Sequence, residues 1–319
     1  MVKLPLSREW LGKNMTTVGP IVAAITIIAG FQVINPFFLG YQGIITLVYA
    51  MSYFLIAACG LTFVIMMGSF DFSVVSLLKL SALICVLYID KLGLLVIPLA
   101  LLLCVGFGFI NGLLSAKFKV PSFMATLGVS VVVEGVALYL SKGFLHIMYN
   151  ETFRALAVTF IAGLPSIFYW AIGIWIICTF IAMYIPFGRR TYAVGGNPIG
   201  AGLSGINVER HRIYVFILSS FLSGLSGVLY MAQLGGGSME IGKYLPIPLF
   251  ASVVMGGTAL TGGVGGPHRT LIGVIIITWI RAGMLMLAIG RDMQMITFGI
   301  IAIGMSIVTI DRRRIKIIK

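Results

Sequence analysis

Lys79, Glu134 and Arg281 each stand inside a long apolar run, and their chemistry sets the first constraint on this chain. A charge at the centre of a membrane helix costs about 2.5–3.5 kcal/mol on insertion scales, so it turns into the helix bundle and takes a partner. The helical rise of about 1.5 Å per residue puts Lys79 about 9 Å from the nearer, inner end of its run, Glu134 about 18 Å and Arg281 about 17 Å. Matching depth predicts a Glu134–Arg281 ion pair, within one chain or across a dimer. Lys79 is expected to snorkel toward the surface. Asp71, in GSFDFS, falls between two apolar runs and reads as a helix N-cap or a pathway residue. Asn111 lies in an apolar run beside Gly106, Gly108 and Gly112 and is a second candidate for the pathway. This chemistry is pairing and polar lining, not catalysis.

No catalytic motif is present. The sequence has no G-x-x-x-x-G-K-[ST], no G-x-S-x-G and no G-x-G-x-x-G after a strand. The chain therefore carries no visible means of hydrolysing a nucleotide. Cys59, Cys85, Cys104 and Cys178 sit in apolar runs without C-x-x-C spacing and read as small buried hydrophobes. His146, His211 and His268 stand apart, so no metal site is expected.

Only membrane helices could position these residues. Of 319 residues, 60% are hydrophobic and 10% charged, against roughly 45–50% and about 25% in soluble domains. Mean hydropathy is +1.10. The composition specifies an all-α integral membrane protein. The net charge of +13 sits in short loops and at the ends, which points to membrane orientation and not to nucleic acid. The N-terminal apolar run is too long for a signal-peptide core and reads as a retained anchor.

About ten runs are long enough to span, taking about 20 apolar residues as the requirement. They cover residues 18–36, 43–67, 73–89, 92–116, 122–141, 164–186, 213–234, 245–258, 270–289 and 294–310. The eighth is short unless it continues into the glycines that follow it. With the N-terminus inside, alternation puts 15 Lys and Arg on the inner side and five on the outer. That asymmetry predicts cytoplasmic termini and an even number of spans. Residues 1–319 form a single transmembrane domain, with residues 188–213 as a polar, basic cytoplasmic loop within it.

The tract GGTALTGGVGG, residues 256–266, cannot be a lipid-facing helix. Irregular backbone at membrane depth persists only when buried in protein or lining a cavity. Gly256, Gly257, Gly262, Gly263 and Gly265 are therefore expected in close helix packing or along the pathway.

Several tracts, taken in order, resemble one family. GLTFVIMMGSFDFSVVSLLKLSALI (60–84) resembles its Gly-(Gly/Asp)-x-Asp-Leu-Ser stretch, and Gly108, Asn111 and Gly112 resemble its G-x-x-N-G. VPSFMATLG (120–128), YAVGGNPIGAGLSGINV (192–208) and VVMGGTALTGGVG (253–265) follow in the same order. The chain resembles the membrane-spanning permease subunits of bacterial ATP-binding-cassette importers for monosaccharides, of the ribose, xylose, arabinose and galactose type. The resemblance implies a type II importer permease in the inner or plasma membrane. It implies a second permease copy, identical or related, and an external or periplasmic sugar-binding protein. It also implies a cytoplasmic cassette ATPase that carries ATP and Mg and docks on the loop at Gly195, Gly196, Asn197, Ala201, Gly205 and Ile206. Branched-chain amino acid or nucleoside permeases share weaker forms of these motifs, and an ion-coupled secondary transporter is the alternative of a different class.

Two departures from that family stand out. Ile199 occupies a position where an acid is usual, and Gly200 and Gly202 replace an alanine and an arginine. Two glycines weaken a short helix by roughly 1 kcal/mol each. Leu245–Pro248 replaces the usual Tyr-Glu-Leu-Asp, which removes a carboxylate from the expected outer mouth.

Overall fold

The computed structural model describes residues 25–26, 28–237, 242 and 244–309, with backbone alone at 302 and 305–309. Among these, six helical segments are long and apolar enough to cross a membrane: Tyr41–Met66, Val74–Ala116, Ser122–Ser141, Ser166–Tyr184, Val208–Leu234 and Pro267–Met286. The second segment is a hairpin. Gly93, at φ 56°, ends helix α2 (Val74–Leu92), and a short 3-10 turn leads into α3 (Val96–Ala116). The Asn111 amide donates to Ser73 Oγ at 2.8 Å, which joins the end of α3 to the start of α2.

The remaining helices are α1 (Tyr41–Met66), α4 (Ser122–Ser141), α5 (Glu151–Val158), α6 (Ser166–Tyr184), α7 (Pro186–Gly196), α8 (Pro198–Leu203), α9 (Val208–Leu234), α10 (Pro246–Met255), α11 (Pro267–Met286) and α12 (Arg291–Thr309). Each expected run from residue 43 onward coincides with one of them. In the run at 18–36, residues 25–26 and 28–34 are helical, whereas 18–24 and 27 lie outside the described residues. The largest discrepancy is at α9, which starts five residues early because the Asn207 side chain caps it by accepting from Arg210 N at 2.9 Å.

The eighth run does not continue into the glycines. Helix α10 has ten residues, about 15 Å of helix against a hydrocarbon core of about 30 Å. Past Met255 the chain turns at Gly257, Gly262, Gly263, Gly265 and Gly266, all with φ between 75° and 140°. Only glycine adopts such values without strain.

Two small ribbons close the other end. Residues His146–Ile147 (β1) pair antiparallel with Gly236–Gly237 (β4). Phe160–Ile161 (β2) pairs with Leu164–Pro165 (β3) across a two-residue turn, in which Ala162 and Gly163 both have positive φ.

Helix α9 runs through the centre of the bundle against α1, α2 and α3. Small residues permit that approach. A Cβ at Gly227 would collide with the Leu78 carbonyl and Ser81 Oγ, and one at Gly108 would lie 2.7 Å from Ser220 Cβ. In lipid there is no hydrophobic drive between helices, so such close packing is what holds them together. Gly227→Ala is therefore expected to destabilise the protein by about 1–3 kcal/mol. Gly106→Ala, with open space around it, should stay within about 0.5 kcal/mol of the parent. Thermal unfolding in detergent checks both.

Candidate functional site

The loop expected at 188–213 folds into two short helices with firm ends. Helix α8 begins at Asn197, whose Oδ1 accepts from Gly200 N at 3.0 Å, and Pro198 stands at its first turn, where a missing N–H costs nothing. It ends on Gly205, at φ 83°. Gly205 N bonds to Gly202 O, and Ile206 N bonds to Ala201 O at 3.1 Å. That is a Schellman stop, which requires a left-handed residue. The two caps offset the softening from Gly200 and Gly202, so a six-residue helix persists. Ala201 faces inward at 5% exposure, whereas Ile199 and Leu203 are 78% and 87% exposed. An i, i+4 apolar pair thus projects from the tip of a polar loop. Leu203 is not among the residues expected from the sequence, although its spacing from Ile199 between two caps is legible there.

Behind α8 three stretches of backbone meet. Gly263 N donates to Met66 O at 2.8 Å. A Cβ at Gly195 would collide with that same Met66 carbonyl, and one at Gly262 would lie 2.7 Å from Gly68 N. Tyr192 Oη donates to Gly265 O at 2.7 Å. Burial raises the Tyr192 phenol above its ordinary pKa, against the opposing Arg269 guanidinium, so it remains a donor. The glycine tract is therefore a packed junction between α1, α7 and the entry to α11. Gly195 is packed into this junction, whereas Gly196, whose Cα borders Gly263, is exposed on its outer side. Tyr192 is a clamp that spacing alone did not reveal.

The polar residues singled out in the apolar runs fall into three groups. Asp71 is fully buried. Its Oδ1 accepts from Ser73 N at 3.0 Å and Ser73 Oγ at 2.6 Å, and its Oδ2 accepts from Ser219 Oγ at 2.9 Å. Through Ser73 it reaches Asn111. Asp71 is not the N-cap of α2, which is Ser73 with no side-chain cap bond; its carboxylate instead holds Ser73 in place and ties together α2, α3 and α9.

Glu134 does not pair with Arg281 within the chain. Lys79 Nζ lies 3.0 Å from Glu134 Oε1. Helix α4 packs on α2 and α3, whereas α11 packs on α1, α6 and α10. Equal depth could not bring together helices on different sides of the bundle. The four-carbon stem of Lys79 bridges the depth difference and carries its charge to Glu134 instead of to the surface. Arg281 instead donates from Nη1 to Tyr53 Oη at 3.3 Å, beside a Tyr53–Tyr230 stack with ring centroids 4.0 Å apart.

Arg281 also lines a cavity of about 940 Å³ at the end of the bundle away from α8. Tyr230, Tyr244, Arg291, Gln294 and Phe298 line it too, as do Pro246, Ile247 and Pro248 from the departing tract. Asp71, Asn111 and Glu134 do not line it. Among the described residues no cluster of His, Cys, Asp and Glu could hold a metal ion.

A bundle of apolar helices, a capped loop helix at one end and an open cavity at the other define a membrane permease. The chain belongs to the family described as branched-chain amino acid transport system / permease component, which residues 43–309 match. It is a multi-pass membrane protein of a transport system and not itself an enzyme. It is 34% identical over 310 residues to the ribose import permease protein of Haemophilus influenzae, covering 93% of this chain and 94% of the relative. It is 32% identical over 309 residues to the ribose import permease protein of Bacillus subtilis, covering 94% of each. The L-arabinose transport system permease protein of Escherichia coli is 28% identical over 249 residues, covering 77% of this chain and 76% of the relative. No solved structure matches the chain.

The Lys79–Glu134 contact is expected to appear as a coupling energy of about 0.5–3 kcal/mol in a double-mutant cycle of Lys79→Met and Glu134→Gln, read by thermal unfolding. The same cycle on Glu134 and Arg281 should be additive.

Proposed function

We propose that this chain is the transmembrane subunit of an ATP-driven importer and forms the pathway for a monosaccharide delivered by an external binding protein. The relatives named as ribose and arabinose permeases support the sugar. The family's own description favours a second reading, a branched-chain amino acid. Two ribose permeases that match over more than nine-tenths of the chain weigh against it.

In this reading the chain spans the membrane ten times with both termini in the cytoplasm, in the manner of a type II importer permease. Seven spans come from the six long segments, because the second is a hairpin. Helices α10 and α12 and the N-terminal run complete the count. The distribution of Lys and Arg supports the orientation and puts α7 and α8 inside.

The observation that carries the proposal is the exposed Ile199–Leu203 pair on a helix braced against the glycine junction. A soluble ATPase, holding ATP and Mg, docks on that apolar tip. Its closure pushes α8. Gly195 passes the displacement to Met66 and Gly263, because their backbones are already in contact. Helix α11 begins one turn beyond and carries Arg281 to the far cavity. Asp71 and Asn111 hold α2, α3 and α9 together as a frame against which that movement occurs. A second permease copy completes the pathway.

The test is uptake of labelled D-ribose into proteoliposomes that hold the permease with its ATPase and binding protein. Uptake should require the ATPase; equal uptake without it would sink the reading. Leu203→Asp should lower ATP-driven uptake at least about tenfold, the scale of an interface hot spot, while insertion and unfolding temperature are kept. Gly205→Val, which forces a β-branched residue to positive φ, should do the same by unlocking the end of α8.

A further inference from the structure

The far cavity carries more positive charge than a neutral sugar requires. Arg281 and Arg291 both line it, from α11 and from the start of α12. Among the described residues the one ion pair is Lys79–Glu134, and no described carboxylate lines the cavity. Arg281 is partly buried, within a membrane helix, and its hydrogen-bonding partner is a neutral tyrosine hydroxyl at 3.3 Å. A guanidinium held there without a counter-charge is costly. A second guanidinium facing the same space adds repulsion. Arg154 lies close by, since a Cβ at the cavity residue Gly235 would stand 3.2 Å from Arg154 Nε. A guanidinium presents five N–H donors in a planar fork that fits a carboxylate or a phosphate, and Tyr53 engages Arg281 through Nη1. Tyr230, Tyr244 and Phe298 supply apolar ring faces on the same walls, suited to the C–H faces of a sugar.

We propose that this cavity takes an oxyanion-bearing sugar derivative, a sugar carboxylate or a sugar phosphate, and that Arg281 and Arg291 engage its charge. This rests on the importer reading above and narrows its substrate class. Both arginines contact the ligand in the cavity, and the aromatic walls hold its carbon skeleton.

The experiment measures equilibrium binding of labelled D-ribonate, D-ribose 5-phosphate and D-ribose to the full-length chain in nanodiscs of uncharged lipid. At least one of the two anions should bind about tenfold or more tighter than D-ribose, with affinity falling as salt rises. The tighter of the two identifies the oxyanion. Arg291→Gln should abolish the preference without moving the unfolding temperature, and Arg281→Lys should weaken it. D-ribose bound as tightly as the tighter-binding anion overturns the proposal, as does a preference that survives Arg291→Gln. ATPase-dependent uptake of D-ribose with no anion preference leaves the importer reading standing and removes this one alone.

Discussion

The hydrogen bond from Gly263 N to Met66 O, 2.8 Å long, exists because residue 195 has no Cβ to occupy the space beside that carbonyl. Inside a bilayer an irregular chain segment must find all its backbone partners in protein. The tract after α10 finds them in the end of α1 and in the loop helices. That one contact satisfies exposed backbone, fixes where α7 sits and sets the starting point of α11. The half-length helix α10 is tolerable for the same reason, since the chain leaves its helical form only where other segments cover it.

Charge and polarity are placed on the same logic. At the loop end, Asp71 spends its carboxylate on three hydrogen bonds and is fully buried. Lys79 and Glu134 satisfy each other on the flank of the bundle. Toward the other end, Arg281 and Arg291 face open space. The protein therefore has a closely packed loop end whose buried carboxylate is satisfied, and an open end whose guanidinium groups have no carboxylate partner among the described residues. Such asymmetry suits a device that is pushed at one end and holds a ligand at the other.

Most of the helices were legible in the sequence because a run of about 20 apolar residues in lipid has one solution. The junction was half legible. Glycine abundance in residues 256–266 marked close packing, but not that Gly195 and Met66 were the partners, because that contact joins stretches far apart in sequence. Within the chain, the pairing of Glu134 with Arg281 failed for a related reason. Depth is readable from residue spacing, whereas which helix lies beside which is not. Leu203 is hard to single out among the many apolar residues of the sequence, and the cavity is masked by the distance in sequence between Tyr230, Pro246 and Arg291.

The central claim is that α8 is where force enters the protein. The most direct measurement is site-specific crosslinking of the assembled importer from single cysteines placed at Leu203 and at Tyr244, in a background lacking Cys59, Cys85, Cys104 and Cys178. The account predicts that Leu203→Cys crosslinks to the ATPase subunit and changes its yield when ATP is added, while Tyr244→Cys does not reach that subunit. A Leu203 crosslink that never forms, or one indifferent to ATP in an importer active for uptake, would contradict it.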